Sequence, residues 1–296
     1  MKKQSISKPS TFSIAARDPE NGDLGVIVQS KFPAVGAMVP WAWAEVGAVA
    51  TQAYANVSYG ERGLYHMLEG KSASETLKEL VDSDEKAAYR QVGIVDAKGR
   101  VATHTGKECM DWAGHVTGDG YSCQGNILAG EAVVNDMAEA FEKTNGDLID
   151  KLFAGLKAGQ AAGGDKRGMQ SAAILIVRKG AGYDGGNDRM VDVRVDEHPS
   201  PIEELERVFA VYDMTLLSRE NPSLLFPIDG PVAKRVQGVL VDLGYLKEVS
   251  FDEYWTSDAE KALQRWMSVE NYENKYVEGK VWKSVMDALF AQWENR

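Results

Sequence analysis

The sequence has few cysteines and no long apolar run. Its 296 residues include only Cys109 and Cys123, too few for a disulfide framework, so we expect free thiols in a reducing compartment. No stretch approaches the roughly 18 apolar residues that a membrane-spanning helix needs. The first ten residues, MKKQSISKPS, lack the apolar segment of a secretory signal. These absences predict a soluble, cytoplasmic protein.

Clustered basic charge is also missing. The chain has 33 Lys and Arg against 44 Asp and Glu, a net charge of −11, with the acids spread along its length. Nucleic acids and anionic membranes need clustered Lys and Arg to neutralise phosphate, so neither is an expected partner. A neutral or cationic small molecule suits this surface better.

What is present indicates a layered α+β fold. Hydrophobic residues make up 44% of the chain, enough to bury a sizeable core. Two strand-like runs, 11–17 and 24–30, are joined by the turn DPENGD and predict a β-hairpin. Runs of strands followed by runs of helices favour two facing sheets with helices outside them. Residues 31–47, broken by Pro and Gly, are expected to be a packed connection without regular structure.

The composition changes near residue 222. The stretch NPSLLFPIDGP contains three prolines and is typical of a linker. The helical patterns after it carry four of the seven tryptophans, as a small bundle with a limited core requires. We therefore predict an extension at 1–10, an α+β domain at 11–221 and a small all-α domain at 222–296.

Thr11 has two interpretations. Threonine is favoured at the head of a strand, and the pattern alone favours that structural role. A threonine hydroxyl becomes a nucleophile only when a base removes its proton. The α-amine of Thr11, with a pKa near 8, could act as that base if residues 1–10 were removed.

Other motifs predict little chemistry. The segment GGDKRG at 163–168 lacks the spacing of a phosphate-binding loop, so it is either a polar turn or part of a binding site. A lone GxGxxG at 180–185 precedes a strand, whereas a dinucleotide site needs a helix there. Four side chains could supply N or S ligands to a metal, but none of their sequence spacings is the close pair typical of a zinc site. They are His104, Cys109, His115 and Cys123. We predict no metal and no cofactor.

Several longer strings resemble a known family. They are TFSIAARDPENGDLGVIVQSKFPAVGAMVPWA, GAVATQAYANVSYGERGL, VATHTGKEC, GYSCQGNILAG, GQAAGGDKRGMQSAAILIV and GGNDRMVDVRVDEHPSPI. Together, over residues 11–217, they resemble the prokaryotic family called domain of unknown function 1028. The resemblance implies a four-layer α-β-β-α sandwich of the N-terminal-nucleophile hydrolase type.

The resemblance also implies a site. Thr11 would be both nucleophile and base, with Lys31 and Asp165 completing the catalytic set. Backbone amides near Gly125 or Gly164 would form an oxyanion hole. The residues expected to bind substrate are polar ones carried over by position: Gln52, Asn56, Tyr59, His104, Gln124, Asn126, Lys166, Arg167 and Gln170.

The C-terminal strings VAKRVQGVLVDLGYL and FDEYWTSDAEKALQRWMSVENY are similar to a peptidoglycan-binding helical module, although a plain packing or oligomer-forming bundle fits them as well. The expected function is hydrolysis of a small amide, peptide or cell-wall-derived fragment. Relatives begin almost directly at the threonine, so this function requires cleavage after Ser10. The alternative is a non-catalytic binding protein that contacts a glycan or another subunit. A homo-oligomer is expected in either case.

Overall fold

The computed structural model describes residues 11–250 and 254–296, so the expected extension at 1–10 lies outside the described residues. The chain divides into two compact units, the first ending at Val208 and the second comprising Phe209–Arg296. The domain boundary expected at residue 221 stays a prediction.

Ten strands of the first unit form two antiparallel sheets. The strands are β1 (Thr11–Arg17), β2 (Leu24–Ser30), β3 (Pro40–Trp43), β4 (Gly47–Ala53), β5 (Arg90–Asp96), β6 (Val101–Thr105), β7 (Gly114–Gly118), β8 (Tyr121–Asn126), β9 (Ser171–Val177) and β10 (Arg189–Val195). Six of them form a sheet in the order β10-β9-β2-β1-β8-β7, and the other four follow the order β3-β4-β5-β6. The predicted hairpin is confirmed, with Thr11 opposite Ser30. Strand β1 is therefore central in the larger sheet.

Helices cover the outer face of each sheet. The first four are α1 (Ser58–Leu68), α2 (Ala73–Asp82), α3 (Ala132–Lys143) and α4 (Leu148–Ala161). Helices α3 and α4 pack on the six-stranded sheet, and α1 and α2 pack on the four-stranded one. Between the sheets lies an apolar core that includes Val26, Val28, Ala48 and Ala50. The predicted four-layer α-β-β-α sandwich is confirmed.

Two strands of the first unit were not predicted from the sequence, and both are sheet edges. The expectation that residues 31–47 lack regular structure was wrong, since they contain a 3-10 turn at Val35–Ala37 and strand β3. Strand β7 was not expected at all. An edge strand bonds to one neighbour only, so it tolerates Pro40 in β3 and two glycines in β7, and it needs no continuous apolar run.

The second unit is mainly helical, as predicted. Helix α5 (Pro201–Leu216) contributes its last residues to this unit, followed by α6 (Gly230–Asp242), α7 (Ser257–Val269) and α8 (Lys283–Glu294). Its core centres on Trp266, which is 1% exposed. The predicted linker is more regular than expected, because β11 (Leu225–Pro227) pairs antiparallel with β12 (Lys280–Trp282). In the described part of the chain, none of the helices combines the length and apolarity required to span a bilayer.

Helix α1 docks on β3 through a glycine, which gives a stability prediction. A Cβ at Gly60 would lie 2.1 to 2.4 Å from three ring atoms of Trp41. We expect Gly60→Ala to lower the free energy of unfolding by up to about 2 kcal/mol. The overpacking cost of about 1 to 3 kcal/mol exceeds the roughly 1 kcal/mol that alanine contributes to helix propensity. Differential scanning calorimetry measures the change.

Gly238 in α6 is the matched control, since among the described residues no atom beyond its chain neighbours and the backbone of its own helix lies within 4 Å of an added Cβ. Gly238→Ala should raise the stability of its own unit by up to about 1 kcal/mol. Equal stabilisation by both substitutions would contradict the close packing of α1 on Trp41.

Candidate functional site

Thr11 begins the central strand of the six-stranded sheet. Its Cα partners are Ser30 on β2 and Asn126 on β8. The residue is 1% exposed, and its hydroxyl oxygen lies 3.1 Å from the Ser30 hydroxyl oxygen. Thr11 therefore starts a strand, as predicted, and is buried between polar neighbours, while its role as a nucleophile stays a prediction.

A buried hydrogen-bonded cluster surrounds Thr11 between the two sheets. We call it the polar layer, and it comprises Thr11, Ser13, Gln52, Gln91, Gln124 and Asn126, all at most 1% exposed. The carbonyl oxygen of Thr11 accepts hydrogen bonds from Gln52 Nε2 at 3.2 Å and from Asn126 Nδ2 at 3.5 Å. Gln52 Nε2 also donates to Gln91 Oε1 at 2.8 Å. Since Gln52 and Gln91 lie on the four-stranded sheet, the polar layer joins the two sheets.

The same layer extends one step along β1. Ser13 Oγ donates to Gln52 Oε1 at 2.6 Å and accepts from Gln124 Nε2 at 2.7 Å. Gly93 makes room for this arrangement, because a Cβ there would lie 2.3 Å from Gln124 Oε1. Side chains alternate along a strand, so Thr11 and Ser13 share the face of β1 that points toward the second sheet.

Asp165 ties a glycine-rich loop to the end of β2. It is 3% exposed, and its carboxylate accepts from the backbone amide of Lys31 at 2.9 Å and from that of Arg167 at 2.8 Å. The Arg167 guanidinium lies 3.2 Å from the same carboxylate. Gly163, at φ 110°, allows the sharp turn into this loop. Asp165 and Arg167 therefore belong to a second polar group beside Ser30.

The long side chains that were expected to line the site near this loop contact other groups instead of Thr11. Lys31 Nζ donates to the carbonyl oxygen of Met169 at 3.1 Å, so its backbone, not its amine, meets Asp165. Lys166 Nζ donates to the carbonyl oxygen of Asp111 at 3.5 Å. Gln170 Nε2 donates a hydrogen bond to Glu197 at 2.6 Å, while its backbone amide donates to the carbonyl oxygen of Ser30. The amide of Gly164, expected in an oxyanion hole, donates to Gly159 at 3.0 Å.

Asn56 and Tyr59 belong to a separate charged cluster. Asn56 Nδ2 donates to Asp84 at 3.0 Å, and Arg90 Nε donates to the same oxygen at 2.9 Å. Burial alone would raise the pKa of Asp84, yet the hydrogen bonds from Arg90 and Asn56 hold that pKa well below its ordinary value. Burial, with the Asp84 charge adding to it, raises the pKa of Tyr59.

His104 is not part of the polar layer. Its Nε2 lies 2.8 Å from the carbonyl oxygen of Ala87. The next residue, Thr105, instead accepts a hydrogen bond from Gln91 Nε2 at 3.0 Å. Successive residues of a strand point to opposite faces, so His104 and Thr105 cannot both reach the layer. Within residues 11–250 and 254–296, no set of three or more His, Cys, Asp and Glu side chains is grouped to hold a metal ion.

Sequence reasoning missed three residues of the site. Ser13 had a signal, since it shares a strand face with Thr11. Ser30 had one too, because the hairpin register places it opposite Thr11. Gln91 donates to Gly114 at 3.1 Å and Gly125 at 2.8 Å, partners far away in the sequence that no local pattern identifies.

These features define an α+β sandwich protein with a buried polar site at the head of its central strand. The chain belongs to the family described as "Family of unknown function (DUF1028)", whose model matches residues 11–205. A second model, "Putative peptidoglycan binding domain", matches residues 215–289.

Two solved structures are similar to this chain. A crystal structure of a DUF1028 protein from Silicibacter pomeroyi is 30% identical, with a TM-score of 0.63, over 71% of this chain and 97% of the other. Anbu, an ancestral β-subunit from Yersinia bercovieri, is 10% identical, with a TM-score of 0.33, over 67% and 93% of the two chains. No curated protein matches.

Removing one amide of the polar layer should destabilise the sandwich. We expect Gln52→Leu to lower the free energy of unfolding by at least about 1 to 3 kcal/mol, because Ser13 and Gln91 lose partners that water cannot replace. Urea denaturation followed by circular dichroism measures this change.

Gln29 on β2 provides the matched control. It is 0% exposed, and neither atom of its amide has a hydrogen-bond partner among the described residues. Gln29→Leu should therefore leave stability unchanged or raise it. If both leucine substitutions had the same effect, the hydrogen bonds of the polar layer would not contribute as stated.

The lowered pKa of Asp84 predicts a pH dependence. A carboxylate whose pKa is depressed on folding stabilises the fold above its unfolded pKa of about 3.9, and this contribution is lost as pH falls toward the folded value. Asp84→Asn should therefore be less stable than the parent at pH 7. The difference should shrink steadily below about pH 4, measured by denaturation across pH. A constant difference would contradict the assignment.

Proposed function

We propose that this protein hydrolyses amide bonds as an N-terminal-nucleophile enzyme, with Thr11 as the nucleophile after cleavage of the Ser10–Thr11 bond. One observation carries the proposal: Thr11 begins the central strand of the sandwich, and the polar layer converges on its carbonyl group. The family's sandwich has the layer order of N-terminal-nucleophile hydrolases, which supports the same assignment.

The chemistry needs no group beyond the freed threonine. The α-amine takes the hydroxyl proton as the hydroxyl oxygen attacks the substrate carbonyl carbon. The amine then passes that proton to the leaving nitrogen as the amide bond breaks. Water hydrolyses the resulting ester and restores the hydroxyl. Ser30, 3.1 Å from the Thr11 hydroxyl, orients it for attack.

The remaining site residues act through position. Gln52 and Asn126 hold the Thr11 carbonyl, which fixes the direction of the freed amine. Asp165 fixes the backbone of Lys31 beside the end of β2, and the positive charge of Lys31 disfavours protonation of the amine. In this proposal Asp165 and Lys31 are positioning residues, and Thr11 alone forms bonds with substrate.

A second candidate function has its own support. Thr11 is 1% exposed, so a substrate cannot reach its hydroxyl while the surrounding residues stand as they do. A binding protein that uses the sandwich as a scaffold requires no such access. In both proposals the second unit binds a peptidoglycan fragment, following the domain match over residues 215–289. The cytoplasmic location and the homo-oligomer stay predictions.

The test of the enzyme proposal combines mass and activity. Intact-protein mass spectrometry should show a form that begins at Thr11, and that form should hydrolyse members of a panel of small amides and muropeptides. Thr11→Ala should lower the rate by about 10³-fold or more, since removing a covalent nucleophile abolishes its pathway. Thr11→Ser should retain measurable activity.

Thr117→Ala is the control, because Thr117 is an exposed residue on edge strand β7. It should keep the parent rate. Full activity in Thr11→Ala, or in a chain that retains residues 1–10, would contradict the proposed mechanism. Binding without turnover by every form would favour the scaffold function.

A further inference from the structure

The second unit contains a cavity of about 300 Å³. It lies among the end of α5, the segment that follows α5, and the start of α8. Its size is at the lower end of the range typical of small-ligand sites. The cavity is separate from the polar layer at Thr11, which belongs to the first unit.

Two side chains that line the cavity contain buried polar atoms without partners among the described residues. They are Asp213 Oδ1 and Ser284 Oγ. Burial raises the pKa of Asp213, with the nearby Arg219 charge opposing the shift. Because both atoms line one cavity, a single polar ligand bound there would supply the hydrogen bonds that buried polar atoms usually make.

Charges of both signs surround the cavity. Asp213 and Arg219 form an ion pair at 3.0 Å, and Glu220 is held by the buried amine of Lys275. Lys283 is 51% exposed and forms a surface ion pair with Asp287 at 2.5 Å. Surface pairs of this kind contribute little to stability, so Lys283 can exchange its partner for a ligand at small cost.

The other walls are apolar or belong to a helix start. Met214, Leu224 and Trp282 supply apolar surface. Trp282 is also the N-cap residue of α8, and its side chain makes no capping hydrogen bond. The start of this 12-residue helix therefore adds amide donors and partial positive charge near Lys283.

We propose that this cavity binds the charged groups of a peptidoglycan stem peptide. The peptide's ammonium group lies toward Asp213 and Glu220, and its carboxylate lies toward Lys283 and the start of α8. Its aliphatic part packs on Trp282. An N-acetylated glycan has no ammonium group to pair with the carboxylates of the cavity, whereas a free peptide carries both an ammonium group and a carboxylate. This inference rests on the proposed peptidoglycan binding of the second unit and assigns its ligand chemistry.

Three probes test the proposal on the full chain. Free stem pentapeptide and disaccharide without peptide are titrated by calorimetry, and intact sacculi are used in a sedimentation assay. The pentapeptide should bind, and its affinity should fall as salt is raised because the contacts are ionic. Lys283→Glu should weaken pentapeptide binding by about tenfold or more, since it places a like charge beside the carboxylate. Ser284→Ala should weaken it less.

Lys261→Glu is the matched control, an exposed lysine on α7 outside the cavity, and should leave the affinity unchanged. Disaccharide binding equal to that of the pentapeptide, or a Lys283→Glu variant with parental affinity, would overturn the assignment to the stem peptide. If sacculi sediment the protein but the pentapeptide does not bind, the assignment to the stem peptide is overturned, whereas the proposed binding of peptidoglycan is supported. If none of the three probes binds, both the stem-peptide assignment and the proposed peptidoglycan binding are contradicted.

Discussion

The sandwich depends on satisfying amide groups that water cannot reach. Gln52, Gln91, Gln124 and Asn126 are at most 1% exposed, and hydrogen bonds cross from one sheet to the other at each of them. A buried amide group without a partner costs about 1 to 3 kcal/mol, so each hydrogen bond within the layer stabilises the fold. A slip of one residue in any strand would turn these side chains away from the layer, so the layer specifies the register of both sheets.

That constraint also explains where Thr11 lies. Much of the interface between the sheets is filled by small apolar residues such as Ala15, Ala48 and Ala50, and the polar layer lies toward the end at Thr11. The loop carrying Asp165 anchors the same end from outside through the Lys31 backbone. Two independent polar groups therefore meet at the first residue of the central strand, where the function proposed for the chain requires chemistry.

The two units differ in how completely their buried carboxylates are hydrogen-bonded. In the first, the Asp84–Arg90 pair is 9 to 10% exposed and receives a further hydrogen bond from Asn56. In the second, Asp213 is paired through one oxygen while the other lacks a partner among the described residues. Complete pairing is typical of structural charge clusters, and incomplete pairing beside a cavity is what a ligand site requires.

Local pattern was sufficient for the hairpin, most of the helices and the layered class, because alternation, turn residues and helical spacing act over a few neighbouring residues. The family resemblance, and not local pattern, grouped Thr11 with Gln52, Gln124 and Asn126. The edge strands β3 and β7 and the role of Gln91 could not be predicted, since they depend on partners distant in the chain. Tertiary structure alone decided that Asn56, Tyr59 and His104 stand apart from Thr11, because their contacts, such as Asn56 with Asp84 and His104 with Ala87, join residues that are distant in the sequence.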